Sequence, residues 1–127
     1  MVAFFGRRFS KYGNQKVVID GITFHSIKEG LRYKELKLLK KARMIRELVL
    51  QPEFILIPDF VDAKGNKVRG IKYRADFGYY EYETDSKTDK RVKKKVVEDV
   101  KGFRTKEYEL KRKMFLYFFK EVDFREV

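Results

Sequence analysis

Glu29, Asp76, Asp99 and Lys101 are the side chains whose types and spacing suit hydrolytic chemistry. Asp99 and Lys101 stand two apart in an apolar run, Val96-Val97-Glu98-Asp99-Val100-Lys101-Gly102. In a strand, both side chains leave the same face about 6 to 7 Å apart, so a carboxylate and an ammonium are aimed at one point. Asp76, within Arg74-Ala75-Asp76-Phe77, lies beside Asp99 if its own strand pairs with that one. Two adjacent carboxylates repel, and the natural neutraliser is a divalent cation that takes oxygen ligands, such as Mg²⁺. The carbonyl after Asp99 and a carboxylate from a packed helix, with Glu29 near the start of one, can complete the shell. Lys101 can then hold or deprotonate an attacking water, or stabilise the charge that develops on a phosphate.

Each of these residues also has a purely structural reading. Glu29 closes Ser26-Ile27-Lys28-Glu29, an S-x-x-E capping box, where a glutamate caps its own helix. Asp76 can pair with Lys72 or Arg74, and an Asp-x-Lys pair occurs in many surface strands. What favours the functional reading is the set, because an apolar strand rarely buries two charges without a use. Glu98 leaves the face opposite Asp99 and is read as structural or as a support behind the site. Gln51, before Pro52, either contacts a metal-bound water or backbone, or satisfies a strand end. Lys111, between Tyr108 and Phe118, either reaches phosphate or snorkels. His25 has no second histidine to work with and is read as structural.

The elements that must position these groups follow from periodicity. Residues 1–15 form a basic arm with Arg7, Arg8 and Lys11, expected to be partly disordered. Val17–Ile19 and Ile22–Phe24 read as a hairpin about Asp20-Gly21. A helix is expected over Ile27–Ala42, with Ile27, Leu31, Leu38, Leu39 and Ala42 as its main apolar stripe and Glu29, Tyr33 and Leu36 on the opposite side. Phe54–Phe60 reads as a strand with an edge or bulge at Pro58, and a turn at Lys64-Gly65-Asn66 leads to one long strand, Ile71–Glu83. The charged stretch Thr84–Lys95 is expected to be a solvated hairpin connection with no site of its own. Val96–Lys101 is the next strand. Thr105 caps a second helix to about Lys120, with Tyr108, Phe115 and Phe119 on one side and Leu110, Met114 and Phe118 widening the stripe. A short strand, Val122–Glu126, closes the chain.

Composition narrows the chemistry further. Of 127 residues, 31 are Lys or Arg and 19 Asp or Glu, a net charge of +12, which points to nucleic acid or another anionic partner. With 43% hydrophobic residues the chain can close a core, and a single domain over 16–127 is expected. With no Cys and one His there is no disulfide framework, no Cys/His zinc site and no thiol nucleophile. No apolar run reaches the roughly 18 residues that cross a bilayer, and the opening residues lack a secretory core, so a soluble, unprocessed, cytoplasmic protein with no membrane partner is expected.

The Arg74-Ala75-Asp76-Phe77 and Val96-to-Gly102 segments resemble the PD-(D/E)XK nuclease motif, and the helix bearing Glu29 resembles the acid-bearing first helix of those enzymes. From Lys11 to Val127, with Tyr12-Gly13-Asn14, Gly21-Ile22-Thr23-Phe24 and Leu50-Gln51-Pro52, the chain is similar to small phage-encoded, Holliday-junction-resolvase-like proteins that carry a domain of unknown function. Ala75 stands where the motif has a proline, a position that varies in the superfamily. The resemblance implies an α/β, restriction-endonuclease-like fold in which a mixed central sheet with a β-meander is flanked by helices. It implies that Asp76 and Asp99 bind Mg²⁺, with Mn²⁺ able to substitute, that Glu29 adds an acidic ligand, and that Lys101 is the catalytic lysine. It further implies a homodimeric DNA endonuclease acting on branched DNA; the basic arm and surface cations, Arg7, Arg8, Lys11, Arg74 and Lys111, are expected to contact DNA phosphates. The alternatives are a basic nucleic-acid-binding module without catalysis, and a sequence-specific restriction or nicking enzyme.

Overall fold

A computed structural model describes residues 15–100 and 104–127. The basic arm, with Arg7, Arg8 and Lys11, therefore lies outside the described residues, as does Lys101. Two compact units divide the chain, Met1–Ile45 and Arg46–Val127.

In the first unit, β1 (Val17–Ile19) and β2 (Ile22–Phe24) pair antiparallel about Asp20-Gly21. Both turn residues have positive φ, 54° and 75°, the geometry of a primed two-residue turn, which explains why Asp-Gly was a reliable signal. α1 (Ile27–Lys41) starts at Ser26, whose hydroxyl accepts from Glu29 N at 3.1 Å, while the Glu29 carboxylate accepts from His25 N at 3.0 Å. The capping box is thus complete, and His25 takes part only through its backbone.

Both the main apolar stripe of α1 and the side opposite it were expected to be shielded from solvent, and only the second is buried. Glu29, Gly30, Tyr33 and Leu36 are buried, whereas Ile27, Leu31 and Leu38 are 48%, 55% and 68% exposed. The hairpin decides this. Gly30 lets it lie close, since a Cβ there would come within 2.8 Å of Val17 and 2.9 Å of Ile19. Phe24 rests on Tyr33 with ring centroids 4.9 Å apart, and the Tyr33 hydroxyl donates to Asp20 at 2.9 Å. An aromatic contact and a satisfied hydroxyl fix the side of α1 that the hairpin covers.

In the second unit a four-stranded mixed sheet has the order β10, β9, β8, β3. These are β3 (Ile45–Leu50, whose first residue closes the first unit), β8 (Phe77–Thr84), β9 (Arg91–Asp99) and β10 (Asp123–Glu126). β8 and β9 are antiparallel, and β10 runs parallel to β9 after the α2 crossover (Lys106–Phe118), which makes this an α/β fold. β3 was not foreseen. Glu47 within it has φ 55°, a left-handed residue that breaks the period-two pattern by which strands are read.

The expected long strand over residues 71–83 is in fact two strands, β7 (Ile71–Arg74) and β8, interrupted at Ala75-Asp76. β7 pairs with β4 (Glu53–Ile57) in a separate ribbon, and β5 (Phe60–Val61) pairs with β6 (Lys67–Val68). Pro58 ends β4, as its missing N–H requires. The break changes which face each residue serves. Tyr73 and Ala75 join Leu56, Val97, Tyr108 and Phe115 in the core under α2, while Phe77 pairs across to Glu98 on the other face.

α2 is capped by Thr105, which accepts from Tyr108 N at 3.0 Å. Phe115 is fully buried and stacks on Phe119 at 4.9 Å, whereas Leu110 and Phe118, expected to widen the stripe, are 57% and 52% exposed. The core beneath α2 is narrow, and its aromatic rings fill it without them.

Candidate acidic site at the end of strand β9

Asp76 sits at the break between β7 and β8, where its backbone ties three strands together. Its carbonyl accepts from Gln51 N at 2.9 Å and its N–H donates to Glu98 O at 3.1 Å. The Gln51 side chain is exposed, and its backbone satisfies this strand end, with φ 51°. A neighbouring bond, Ala75 N to Pro52 O at 3.0 Å, completes the crossing. The Asp76 side chain, partly buried, accepts from Val100 N at 2.6 Å through Oδ2.

Asp99 is fully buried at the end of β9, one residue before the amide that Asp76 holds. Its Oδ2 accepts from the Tyr73 hydroxyl, and its carbonyl accepts from Val127 N at 3.0 Å, which anchors it to the chain end. Tyr73 reports how the two acids are placed. Burial is the largest cause raising its pKa, followed by the charge of Asp99 and its hydrogen bond, and the charge of Asp76 adds in the same direction. Tyr108 is also raised, by burial first, then by its 2.5 Å hydrogen bond to Glu126 and the charge of Asp99. Both phenols are therefore neutral donors at neutral pH.

The structure thus brings Asp76 to the amide that follows Asp99, while Tyr73 holds the Asp99 carboxylate. Lys101 lies outside the described residues. Glu29 belongs to the first unit and serves its capping box there. Among the described residues no group of three or more His, Cys, Asp or Glu is placed to hold a metal ion. The two aspartates and the peptide carbonyls beside them nevertheless supply hard oxygen donors of the kind that suits Mg²⁺, an ion that needs only one or two protein carboxylates and keeps several waters.

Of the residues expected to touch DNA, Arg74 is exposed and pairs with Glu53 at 3.2 Å, and Lys111 pairs with Glu107 at 3.7 Å. Glu98 lies fully buried on the opposite face, where its carboxylate accepts from the Tyr79 hydroxyl. Tyr73 was not singled out from the sequence. The available signal was a hydroxyl-bearing aromatic at a core position of the strand leading to Asp76, since a buried tyrosine needs an acceptor.

Fold and site together define a small basic α/β protein with a mixed sheet and two aspartates, Asp76 and Asp99, near one strand end. The chain belongs to the family described as "Protein of unknown function (DUF1064)", whose model matches residues 9–127. No curated protein and no solved structure was found to match it. No helix among the described residues is long and apolar enough to cross a membrane.

Proposed function

We propose that this protein is a Mg²⁺-dependent DNA endonuclease of the PD-(D/E)XK type. The observation that carries the reading is that Asp76 holds the amide of Val100, the residue between Asp99 and Lys101, while Tyr73 holds the Asp99 carboxylate. Two carboxylates near one strand end make each other's charge harder to hold, a cost that a bound cation offsets. Asp76 and Asp99 hold the ion, and Glu29 is the further acid implied by the motif. When bound, Mg²⁺ supplies positive charge for the phosphate and acidifies a coordinated water. Tyr73 fixes the Asp99 carboxylate by donating to it. The Lys101 ammonium stabilises the negative charge that develops on the phosphodiester.

The resemblance favours branched DNA as substrate, with a homodimer placing two sites for symmetric cuts. Phage or prophage origin and a cytoplasmic setting are proposed on the same ground. The rival reading is a DNA-binding module without catalysis, favoured by the engagement of Glu29 in helix capping. Incubation of four-way, flap and linear DNA with Mg²⁺ at low salt separates the readings. Cleavage by the wild type that is lost in Asp99→Asn supports an endonuclease, and preference for the four-way substrate supports junction resolution. Equal DNA binding without Mg²⁺-dependent cleavage overturns it. Glu29→Gln isolates the third acid, since glutamine still serves the capping box and any fall in cleavage reports on the carboxylate alone.

A further inference from the structure

The charge run expected to be a solvated connection is largely strand: the loop is confined to residues 85–90, and β9 begins at Arg91. Strand alternation puts Arg91, Lys93 and Lys95 on one face of β9, a cation at every second residue, roughly 6.6 Å apart. Val97 and then Asp99 continue that same face. Opposite them on β8 the register sets Thr84 against Arg91, Tyr82 against Lys93 and Tyr80 against Lys95.

The tyrosines hold the cations in place. The Lys93 and Lys95 ammonium groups lie 4.5 and 4.8 Å from the centre of the Tyr80 ring. Arg91 and, from β3, Arg46 lie 4.8 and 5.3 Å from the centre of the Tyr82 ring. Cation–π attraction orders long side chains that would otherwise sweep through solvent, so less conformational entropy is lost when they meet an anion. One carboxylate enters the group, Glu47, paired with Lys93 at 2.6 Å. Four cations against one acid leave the face strongly positive.

We infer that this face of β8 and β9, from Arg91 to Lys95, is a track for the sugar-phosphate backbone of duplex DNA that ends where Val97 passes under the core. Charge complementarity identifies the partner as a polyanion. The covered rings decide its form: single-strand binders stack bases on open aromatic faces, and here cations already occupy the rings, so the contacts available are to phosphates and need no unpaired base. Binding on such a track is independent of sequence and falls steeply with salt. The inference shares with the proposed function the premise of a DNA partner but does not depend on catalysis.

The test is fluorescence anisotropy with a labelled duplex and a single strand of the same sequence, in EDTA so that no cleavage occurs. Arg91→Gln/Lys95→Gln is compared with Lys94→Gln, a cation on the same strand but the opposite face, where it pairs with Asp123 at 3.3 Å. The double variant is expected to bind duplex about tenfold more weakly per cation removed at 0.1 M salt, with a salt slope shallower by about 0.9 for each. Lys94→Gln is expected to bind as the wild type does. Circular dichroism and thermal melting confirm that each variant is folded, and Lys95→Arg, which keeps the charge, is expected to restore binding. Unchanged duplex affinity in the double variant, an equal loss in Lys94→Gln, or tighter binding of the single strand by the same residues overturns the inference. Because Asp99→Asn leaves the track intact, a protein that binds through these residues yet cuts nothing refutes the endonuclease reading and not this one.

Discussion

Glu98 and Asp99 are neighbours in sequence, both fully buried, and both accept a hydrogen bond from a tyrosine, yet they end in opposite kinds of environment. Behind Glu98, the Tyr79 hydroxyl is reached by Arg125 at 3.5 Å, and Arg125 binds Glu81 at 2.9 and 3.0 Å and Asp123 at 2.8 and 3.0 Å. That face closes its charges with a guanidinium fork. On the other face Tyr73 donates to Asp99, and the Asp76 carboxylate accepts from Val100 N, one residue further on. One strand therefore separates a network that holds β8, β9 and β10 together from a strand end where a tyrosine holds Asp99 and Asp76 holds the next amide. Burial alone does not tell a structural acid from a functional one.

The comparison is broken most decisively by removing charge from one side at a time. Asp99→Asn is expected to lower Mg²⁺-dependent cleavage by about 10²- to 10³-fold, the scale of losing one electrostatic stabiliser, while its melting temperature in EDTA does not fall. Glu98→Gln should do the reverse, melting earlier and keeping cleavage within about tenfold of wild type once folded. Equal losses of activity in the two variants would erase the distinction.

The tyrosines sharpen it. Tyr73→Phe and Tyr79→Phe each leave a buried carboxylate short of a donor and should cost about 1 to 3 kcal/mol in urea unfolding. Only Tyr73→Phe is expected to weaken the Mg²⁺ dependence as well, about 10- to 100-fold, the usual cost of removing a group that orients a ligand. If Tyr79→Phe shifts the metal dependence equally, the two faces are not independent.

How far these contrasts were legible beforehand varies by residue. The hairpin about Asp20-Gly21, the Ser26 and Thr105 caps and the opposed faces of Glu98 and Asp99 all rest on short-range rules, and they stand in the structure. The break at Ala75-Asp76 left no local mark, because the tyrosine and phenylalanine alternation runs straight through it. Nor was the buried side of α1 legible, since it depends on where the hairpin packs. The Arg125 fork joins residues more than forty positions apart, beyond the reach of any window.

The smallest effect concerns that fork. Arg125 and Glu81 are each 34% exposed, so solvent screening limits the loss in Arg125→Gln to about 1 kcal/mol. Hydrogen bonds from Arg125, and then its charge, hold the Glu81 carboxyl below its ordinary value of 4.5. A lowered folded pKa stabilises above the unfolded value and loses that contribution as pH falls through the folded one. Wild type should therefore exceed Arg125→Gln in stability above pH 4.5 and converge with it in stronger acid, as followed by denaturant titration across pH. A gap that persists unchanged in acid would show that Arg125 acts through packing instead.

The residues alone determined the helix starts, the Asp-Gly turn, the strongly basic character and the chemical types at positions 76, 99 and 101, because each depends on contacts within a few positions of the chain. The three-dimensional packing decided which acids come to one strand end, which side of α1 is covered and where the cations of β9 point. The hairpin decides the covered side of α1, and the other outcomes turn on the backbone break at Asp76 and on the strand register about it. A break moves every following side chain to the opposite face at little local cost, so only the assembled sheet fixes where it falls.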